Sequence, residues 1–226
     1  MDIESKYGDI NFDNDVREVK IRIDNANLTM KEVRVCHLIA GYARVYADNI
    51  NQMNAEVQNG NFIVKNMGHL TMESRNSRIE ITSLARLDIQ SDADDYEIEE
   101  VEKIIGVKNY GELRVTSLKE TFDITGKGAD IKIRRIEPTV NLIKIDDQYA
   151  NLRLPVGDLK NFAITFEGEG SNVYTPFEKK EQAGSPFKYT SLDNKELAGS
   201  SVKSTTKDGM PTSFNLKCSN CTVDFK

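Results

Sequence analysis

Two cysteines near the C-terminus, Cys218 and Cys221, form a CxxC pair, a spacing that can bind zinc or carry out thiol–disulfide chemistry. A zinc site normally needs four ligands. The other soft ligands, Cys36, His37 and His69, lie far away in the sequence. Three interpretations stay open: a local disulfide, a metal or redox site, and two small residues at a structural corner. The corner is favoured because both cysteines fit the repeat pattern described below.

A second group of residues that could do chemistry is acidic. Its members are Asp92, Asp94, Asp95, Glu112 and Asp130. Carboxylates stacked about 5 Å apart repel each other, so a bound calcium ion would stabilise them. A pair of carboxyl groups could also cleave a glycosidic bond. The favoured interpretation is a solvated edge, on which Arg78, Arg114 and Lys132 offset the repulsion.

The remaining candidates are aromatic residues and histidines. Tyr46 and Tyr174 are expected at outward positions of strands, where they could contact a ligand. His37 lies in the apolar stretch VRVCHLIAGY without a serine motif such as GxSxG, and His69 precedes an apolar strand position. Both histidines are interpreted as structural or surface side chains. The sequence therefore assigns no catalytic residue and no cofactor.

The elements that position these residues come from a repeat. Apolar marker residues recur at intervals of 17 or 18 residues that rise to 21 late in the chain. The markers are Ile10, Leu28, Val45, Phe62, Ile79, Tyr96, Leu113, Ile131, Leu152, Val173 and, after a longer excursion, Val223. The residue two positions after a marker is nearly always apolar too, and alternation with period two predicts a strand.

Small residues stand two positions before the markers. They include Gly8, Gly60, Ser77, Gly111, Ala129 and Cys221. One position earlier, asparagine and glycine are common, and both tolerate the left-handed backbone of a sharp corner. The pattern predicts one structural corner per repeat, where a bulky side chain would collide with the next layer.

A corner every 17 residues between short alternating strands predicts an all-β fold, a β-solenoid of about eleven coils that bury their inward faces against one another. The stretch EIEEVEKII, residues 97–105, fits this frame as strand and turn. Residues 179–210 break the period and are rich in Ser, Lys, Gly and Thr. Because the coil returns afterwards, the sequence predicts one domain, 1–226, with an irregular insertion at about 179–210 in which FKYTSL could form a short strand.

Composition excludes several classes of function. A net charge of −6 argues against a nucleic-acid-binding protein. No apolar run approaches the roughly 20 residues that cross a bilayer, so no transmembrane segment is expected. No signal peptide is visible at the start of the chain.

The repeat resembles that of the bacterial adhesin-like domains of unknown function, which are β-solenoids. The segments that carry the resemblance are ESKYGDINF, ESRNSRIEI, KNYGELRV, TGKGADIKI, EGEGSNVYT and a late NLRLP, and it extends over nearly all of the chain outside 179–210. The resemblance implies an exported bacterial protein of the periplasm or cell surface. It carries over no catalytic residue, cofactor or metal ligand.

Two classes of function follow from these observations. The favoured one is a non-catalytic structural or interaction protein, adhesin-like, that displays solenoid faces to a protein or glycan at the cell surface and could self-associate through its coil ends. The alternative is a carbohydrate-active enzyme, a polysaccharide lyase or hydrolase on a β-helix scaffold. Short coils up to residue 146 leave few loops to build a catalytic cleft, which favours the first class.

Overall fold

The computed structural model describes residues 1–176, 187–192, 195–198 and 211–226, and every regular element in these ranges is a β-strand. The strands are β1 Asp2–Ser5, β2 Gly8–Phe12, β3 Val16–Asp24, β4 Ala26–Gly41, β5 Arg44–Gln58, β6 Asn61–Arg75, β7 Arg78–Asp92, β8 Asp95–Asn109, β9 Glu112–Lys127, β10 Asp130–Ile136, β11 Leu142–Gln148, β12 Asn151–Leu154, β13 Phe162–Glu167, β14 Asn172–Tyr174, β15 Phe187–Leu192, β16 Lys195–Ala198, β17 Thr212–Ser219 and β18 Thr222–Phe225.

The strands stack in parallel, and each coil pairs with the next at the offset of the sequence repeat. Val45 of β5, for example, lies opposite Leu28 of β4 and Phe62 of β6. The markers point inward and are almost fully buried from Leu28 onward. Since each inward side chain packs against its equivalents above and below, the core is one continuous column of apolar residues. The predicted β-solenoid is confirmed, with a period of about 17 residues, but it has about nine turns where the repeat predicts about eleven coils.

Each turn of the solenoid closes at a corner with a left-handed backbone. Non-glycine residues with positive φ are Asn25, Tyr42, Asn59, Asn76, Ala93, Tyr110, Tyr149 and Asn220. Gly128 and Gly170 occupy the same corner position, with φ of 69° and 64°. The backbone N–H at this position donates to a carbonyl of the following layer, as from Tyr42 to Gln58 (2.9 Å). The corner is therefore fixed by both its conformation and its hydrogen bonds.

The C-terminal strands do not end the stack, although they are last in the sequence. Strand β17 lies between β11 and β13, and β18 lies between β12 and β14. The loop after β12 passes over the C-terminus, where the N–H groups of Val156 and Gly157 donate to the carbonyl of Lys226 at 2.5 and 2.9 Å. The last coil of the chain is thus inserted into the stack, with both of its edges paired.

The outer edge of β13 is covered by part of the predicted insertion. Strand β15 pairs with β13 in antiparallel orientation, and β16 pairs with β15. The short strand expected in FKYTSL is confirmed, since Phe187–Leu192 forms it. The rest of the insertion, and the irregularity predicted for it, lie outside the described residues. The stretch EIEEVEKII is strand throughout, within β8.

Candidate functional site

One outward face of the solenoid combines an exposed aromatic ring with unpaired cations. We call it the marker face, meaning the outward side chains one residue before and one residue after each marker. Because the coils are in register, these side chains form two columns parallel to the stack. The column after the markers runs, in spatial order, through Glu80, Glu97, Arg114, Lys132, Arg153, Asp224 and Tyr174.

The column changes the sign of its charge halfway along. Two acidic residues are followed by three consecutive cations, Arg114, Lys132 and Arg153. Paired strands lie about 4.8 Å apart, so the three cations and the two residues beyond them extend over roughly 19 Å. Tyr174, which is 45 % exposed, stands at the far end.

These side chains line a shallow groove with a volume of about 740 Å³. The acids in it are already partnered. Arg114 holds both carboxylate oxygens of Glu112, and this hydrogen bonding raises the pKa of Arg114. Asn151 donates to Asp130 at 2.7 Å. Asp224 lies 3.3 Å from the ammonium group of Lys226.

Two cations of the groove are left free. Within the described part of the chain, neither Lys132 nor Arg153 has a carboxylate within 4.0 Å. Arg153 is exposed and Lys132 is half-buried. A guanidinium fork can bind a carboxylate in bidentate fashion, and an ammonium group adds a point charge. The groove therefore offers two adjacent anion-binding groups, with hydrogen-bond donors and acceptors beside them and an aromatic ring at one end.

A groove of similar volume, about 770 Å³, lies on another face near the N-terminal coils. Four carboxylates line it, those of Asp2, Glu4, Glu56 and Glu73, against the cations Lys20 and Arg22 with His37. Among the described residues that line it there is no Phe, Tyr or Trp. The groove around Arg153 is therefore the better candidate for a ligand site.

The two predicted ligand-contact tyrosines have different environments. Tyr174 lines the candidate groove and is exposed. Tyr46 is half-buried and its hydroxyl donates to Asp48 at 3.0 Å. Lys65 bonds the same carboxylate at 2.7 Å and lies over the Tyr46 ring at 5.5 Å from its centroid. Hydrogen bonds from Lys65 and Tyr46 lower the pKa of Asp48. Of the two tyrosines, only Tyr174 has an exposed side chain.

The structure does not bring the five acidic candidates together as a calcium site. Asp94 is fully buried and accepts hydrogen bonds from Ser74, Ser91 and the backbone of Ser77, each at 2.7 Å. Asp92 faces Arg75, and Asp95 accepts from a backbone N–H. Across the described ranges, no group of three or more acidic, histidine or cysteine side chains is placed to hold a metal ion.

A buried polar network near the corner escapes prediction from the sequence. Lys108 is fully buried and donates to the carbonyl oxygens of Asp94 (2.7 Å) and Tyr110. Burial lowers the pKa of Lys108 to about 8. Asp147 accepts from the N–H of Gly128 at 2.9 Å, yet its Oδ2 has no partner. Burial raises the pKa of Asp147 to about 6. Lys108 and Asp147 lie in one column with Ser74 and Ser91. This run of polar residues is the feature of the sequence that points to a buried polar network.

The cysteine pair forms the local disulfide, which the sequence left open beside the favoured corner interpretation. The Cα atoms of Cys218 and Cys221 are 5.8 Å apart, and the bond crosses the corner after β17. Both residues are buried, so the corner position and the disulfide coincide. Cys36 is a free, buried thiol, and burial raises its pKa to about 12.

Apart from the exposed Gly8, the predicted corner residues lie at the inside of the corners. A Cβ atom on Gly60 would meet the carbonyl oxygen of Ala43 at 2.8 Å, and one on Gly111 would meet that of Asp94 at 2.2 Å. Ser77 and Ala129 are buried, and the hydroxyl of Ser77 donates to the carbonyl of Arg75 at 2.9 Å. Gly8 lies in the first coil with φ of 104° and nothing within 4 Å of a Cβ.

The two histidines lie on the surface. Nε2 of His69 is 2.6 Å from Asp88, whose other contact is a bidentate pair with Arg86. His37 faces Asn54 at 3.5 Å. Each histidine thus contacts a neighbouring side chain on the outside of the solenoid.

A search against protein-family models, curated proteins and solved structures finds no match for this chain. Among the described residues, no helix is long and apolar enough to cross a membrane. The adhesin-like family assignment therefore rests on the repeat pattern alone and stays a prediction.

Proposed function

We propose that this chain is a non-catalytic interaction protein, adhesin-like in kind, which binds a glycan or a partner protein through the groove on its marker face. The observation that carries the proposal is the placement of two unpaired cations, Lys132 and Arg153, in a groove with the exposed ring of Tyr174. Arg114, the third cation of the row, is already engaged by Glu112.

The form of the groove supports binding more than glycoside hydrolysis. It consists of regular strand positions on five coils, and its three carboxylates all have partners. A glycosidase needs a free carboxylic acid facing a second carboxylate across the scissile bond. Instead, the groove presents hydrogen-bond donors and positive charges in a fixed row, and this arrangement suits the recognition of an extended ligand.

The disulfide supports a location outside the cytoplasm. Disulfides persist in oxidising compartments and are rare in the reducing cytosol. The bond between Cys218 and Cys221 fits the periplasm or cell surface, as the adhesin-like repeat implies.

The proposal is tested by a glycan array and a protein pull-down with three versions of the folded chain. The first is the parent, and the second carries Lys132→Glu and Arg153→Glu. The third carries Lys160→Glu and Lys217→Glu, two exposed cations outside the groove, and so has the same change in net charge. We expect ligands that bind the parent and the third version but not the second. Ligands held equally by all three would show that the groove is not the binding site.

A further inference from the structure

The two free cations of the groove stand on neighbouring coils. Lys132 and Arg153 are directly opposite each other in the pairing of β10 with β12. Their Cα atoms are therefore about one strand spacing apart, some 4.8 Å, along the axis of the stack. Arg114 continues the row on the next coil, although Glu112 occupies it. A ligand that uses both free cations must present its negative charges along this axis.

We propose that the ligand of the groove is a linear acidic polysaccharide of the uronate type, lying parallel to the stack axis. This inference rests on the proposed function, because it names the ligand class of the same site. Carboxylates of the polysaccharide bind Arg153 and Lys132, and its hydroxyl groups bind the amide and hydroxyl groups beside them. The row from Arg114 to Tyr174, roughly 19 Å long, spans several sugar units.

The polar groups next to the cations suit hydroxyl recognition. Asp130 and Asn151 hydrogen-bond each other at 2.7 Å at the edge of the groove, and Thr222 follows them on the next coil. Each of these side chains has further hydrogen-bonding capacity, since a carboxylate accepts about four hydrogen bonds and an amide has two donors and one acceptor. Tyr174 adds an exposed ring whose face can pack on the apolar face of a sugar.

A polypeptide fits the groove less well. In an extended peptide, side chains on one side repeat every two residues, about 6.6 Å apart, which does not match the coil spacing of about 4.8 Å. A helical peptide docks by placing apolar anchors in an apolar groove. Here the outward side chains are charged or polar apart from Tyr174, while Ile131 and Leu152 point into the core.

The inference is tested with polygalacturonate, a linear polyuronate, and with its methyl ester, which has the same backbone without the charge. Calorimetry would measure the affinity of the full chain for both polymers at two salt concentrations. We expect the parent to bind polygalacturonate at least about tenfold more tightly than the ester, because a hydrogen bond to a charged group is worth about one to two decades of affinity. Added salt should weaken the first interaction more.

Variants separate the ligand class from the site. Lys132→Glu with Arg153→Glu should lower the affinity for polygalacturonate by at least about a hundredfold, while Lys160→Glu with Lys217→Glu should change it less than about threefold. Circular dichroism would verify that both variants are folded.

Three results would overturn the inference. Equal affinity for polygalacturonate and its methyl ester would show that the charge of the ligand is not recognised. If the Lys132→Glu, Arg153→Glu variant then bound neither polymer, the groove would still be the binding site and the proposed function would stand. Failure of polygalacturonate to bind at all would reject the ligand class. A polygalacturonate affinity unaffected by either pair of substitutions would show general attraction of a polyanion and not binding in the groove.

Discussion

Substitution of Gly111 by alanine tests how closely neighbouring coils approach at the corner. Gly111 has φ of 71°, and a Cβ atom there would lie 2.2 Å from the carbonyl oxygen of Asp94 and 2.9 Å from its carbon. Gly128 is the matched control, with φ of 69°, but its Cβ would meet only the ring edge of Tyr110, at 3.0 Å. Tyr110 is 48 % exposed and its side chain can rotate away.

Both substitutions place an alanine in a left-handed backbone, but they differ in whether the new methyl group also clashes with a neighbouring coil. The left-handed backbone costs about 1–2 kcal/mol for an alanine at either position. Gly111→Ala also forces a methyl group against backbone that two stacked strands hold in place, which adds about 1–3 kcal/mol. For a chain of this size, about 2 kcal/mol of extra destabilisation corresponds to roughly 4–8 °C in Tm.

Thermal unfolding followed by far-ultraviolet circular dichroism would measure both variants beside the parent. We expect Gly128→Ala to melt slightly below the parent and Gly111→Ala several degrees lower again. Equal Tm values for the two variants would refute the close approach of the coils and leave only the backbone conformation as the reason for glycine.

Three further predictions concern the core, the buried acid and the disulfide. Ile131→Asp should unfold the solenoid, because an unpaired buried charge costs several kcal/mol. Glu80→Ala on the surface should change the free energy of unfolding by less than about 0.5 kcal/mol. Chemical denaturation would measure both variants. Asp147→Asn should raise Tm at pH 7 and lose this advantage near pH 4. Burial raises the folded-state pKa of Asp147 from its ordinary value of 3.8 to about 6, so the stability present below pH 4 is lost as pH rises through 6. An equal gain at both pH values would contradict that cause. Replacing Cys218 and Cys221 by serine should cost about 2 kcal/mol, the closure entropy of so short a loop, and reducing agent should then no longer change Tm.

The repeat was predictable because each coil obeys the same local rules. Alternation around markers such as Val45 and Phe62 sets the strand faces, and the asparagine and glycine positions set the corners. Both signals lie within a few residues of each other, so the β-solenoid and its period follow from the sequence. The short strand at Phe187–Leu192 was also predictable from its own residues.

The order of the last coils was not predictable, because it depends on pairing between distant residues. Nothing within FNLKCSNCTVDF distinguishes a coil at the end of the stack from one inserted between β11 and β13. The choice follows from edges that become available only when the coils fold together. Tyr174 consequently stands beside Asp224, two coils from Arg153, and the sequence order gives no hint of this.

The candidate groove could be found only in part. The sequence predicts Tyr174 as an outward aromatic residue and Arg114 and Lys132 as partners of acids. It does not single out Arg153, although the residue after each marker gives three cations in succession. The burial of Asp94 could not be inferred, since charged residues at corner positions usually face solvent, whereas the column with Ser74 and Ser91 is a signal for Lys108.

The most direct measurement of the central claim uses a single tryptophan in the groove. The chain contains no tryptophan, so Tyr174→Trp places the only one at the end of the row of cations while keeping an aromatic ring. Titration with polygalacturonate should shift the emission of Trp and saturate at the affinity measured by calorimetry. The same titration in the Lys132→Glu, Arg153→Glu background should give no shift. An unchanged emission spectrum in the first protein, while calorimetry still detects binding, would place the ligand elsewhere and contradict the account.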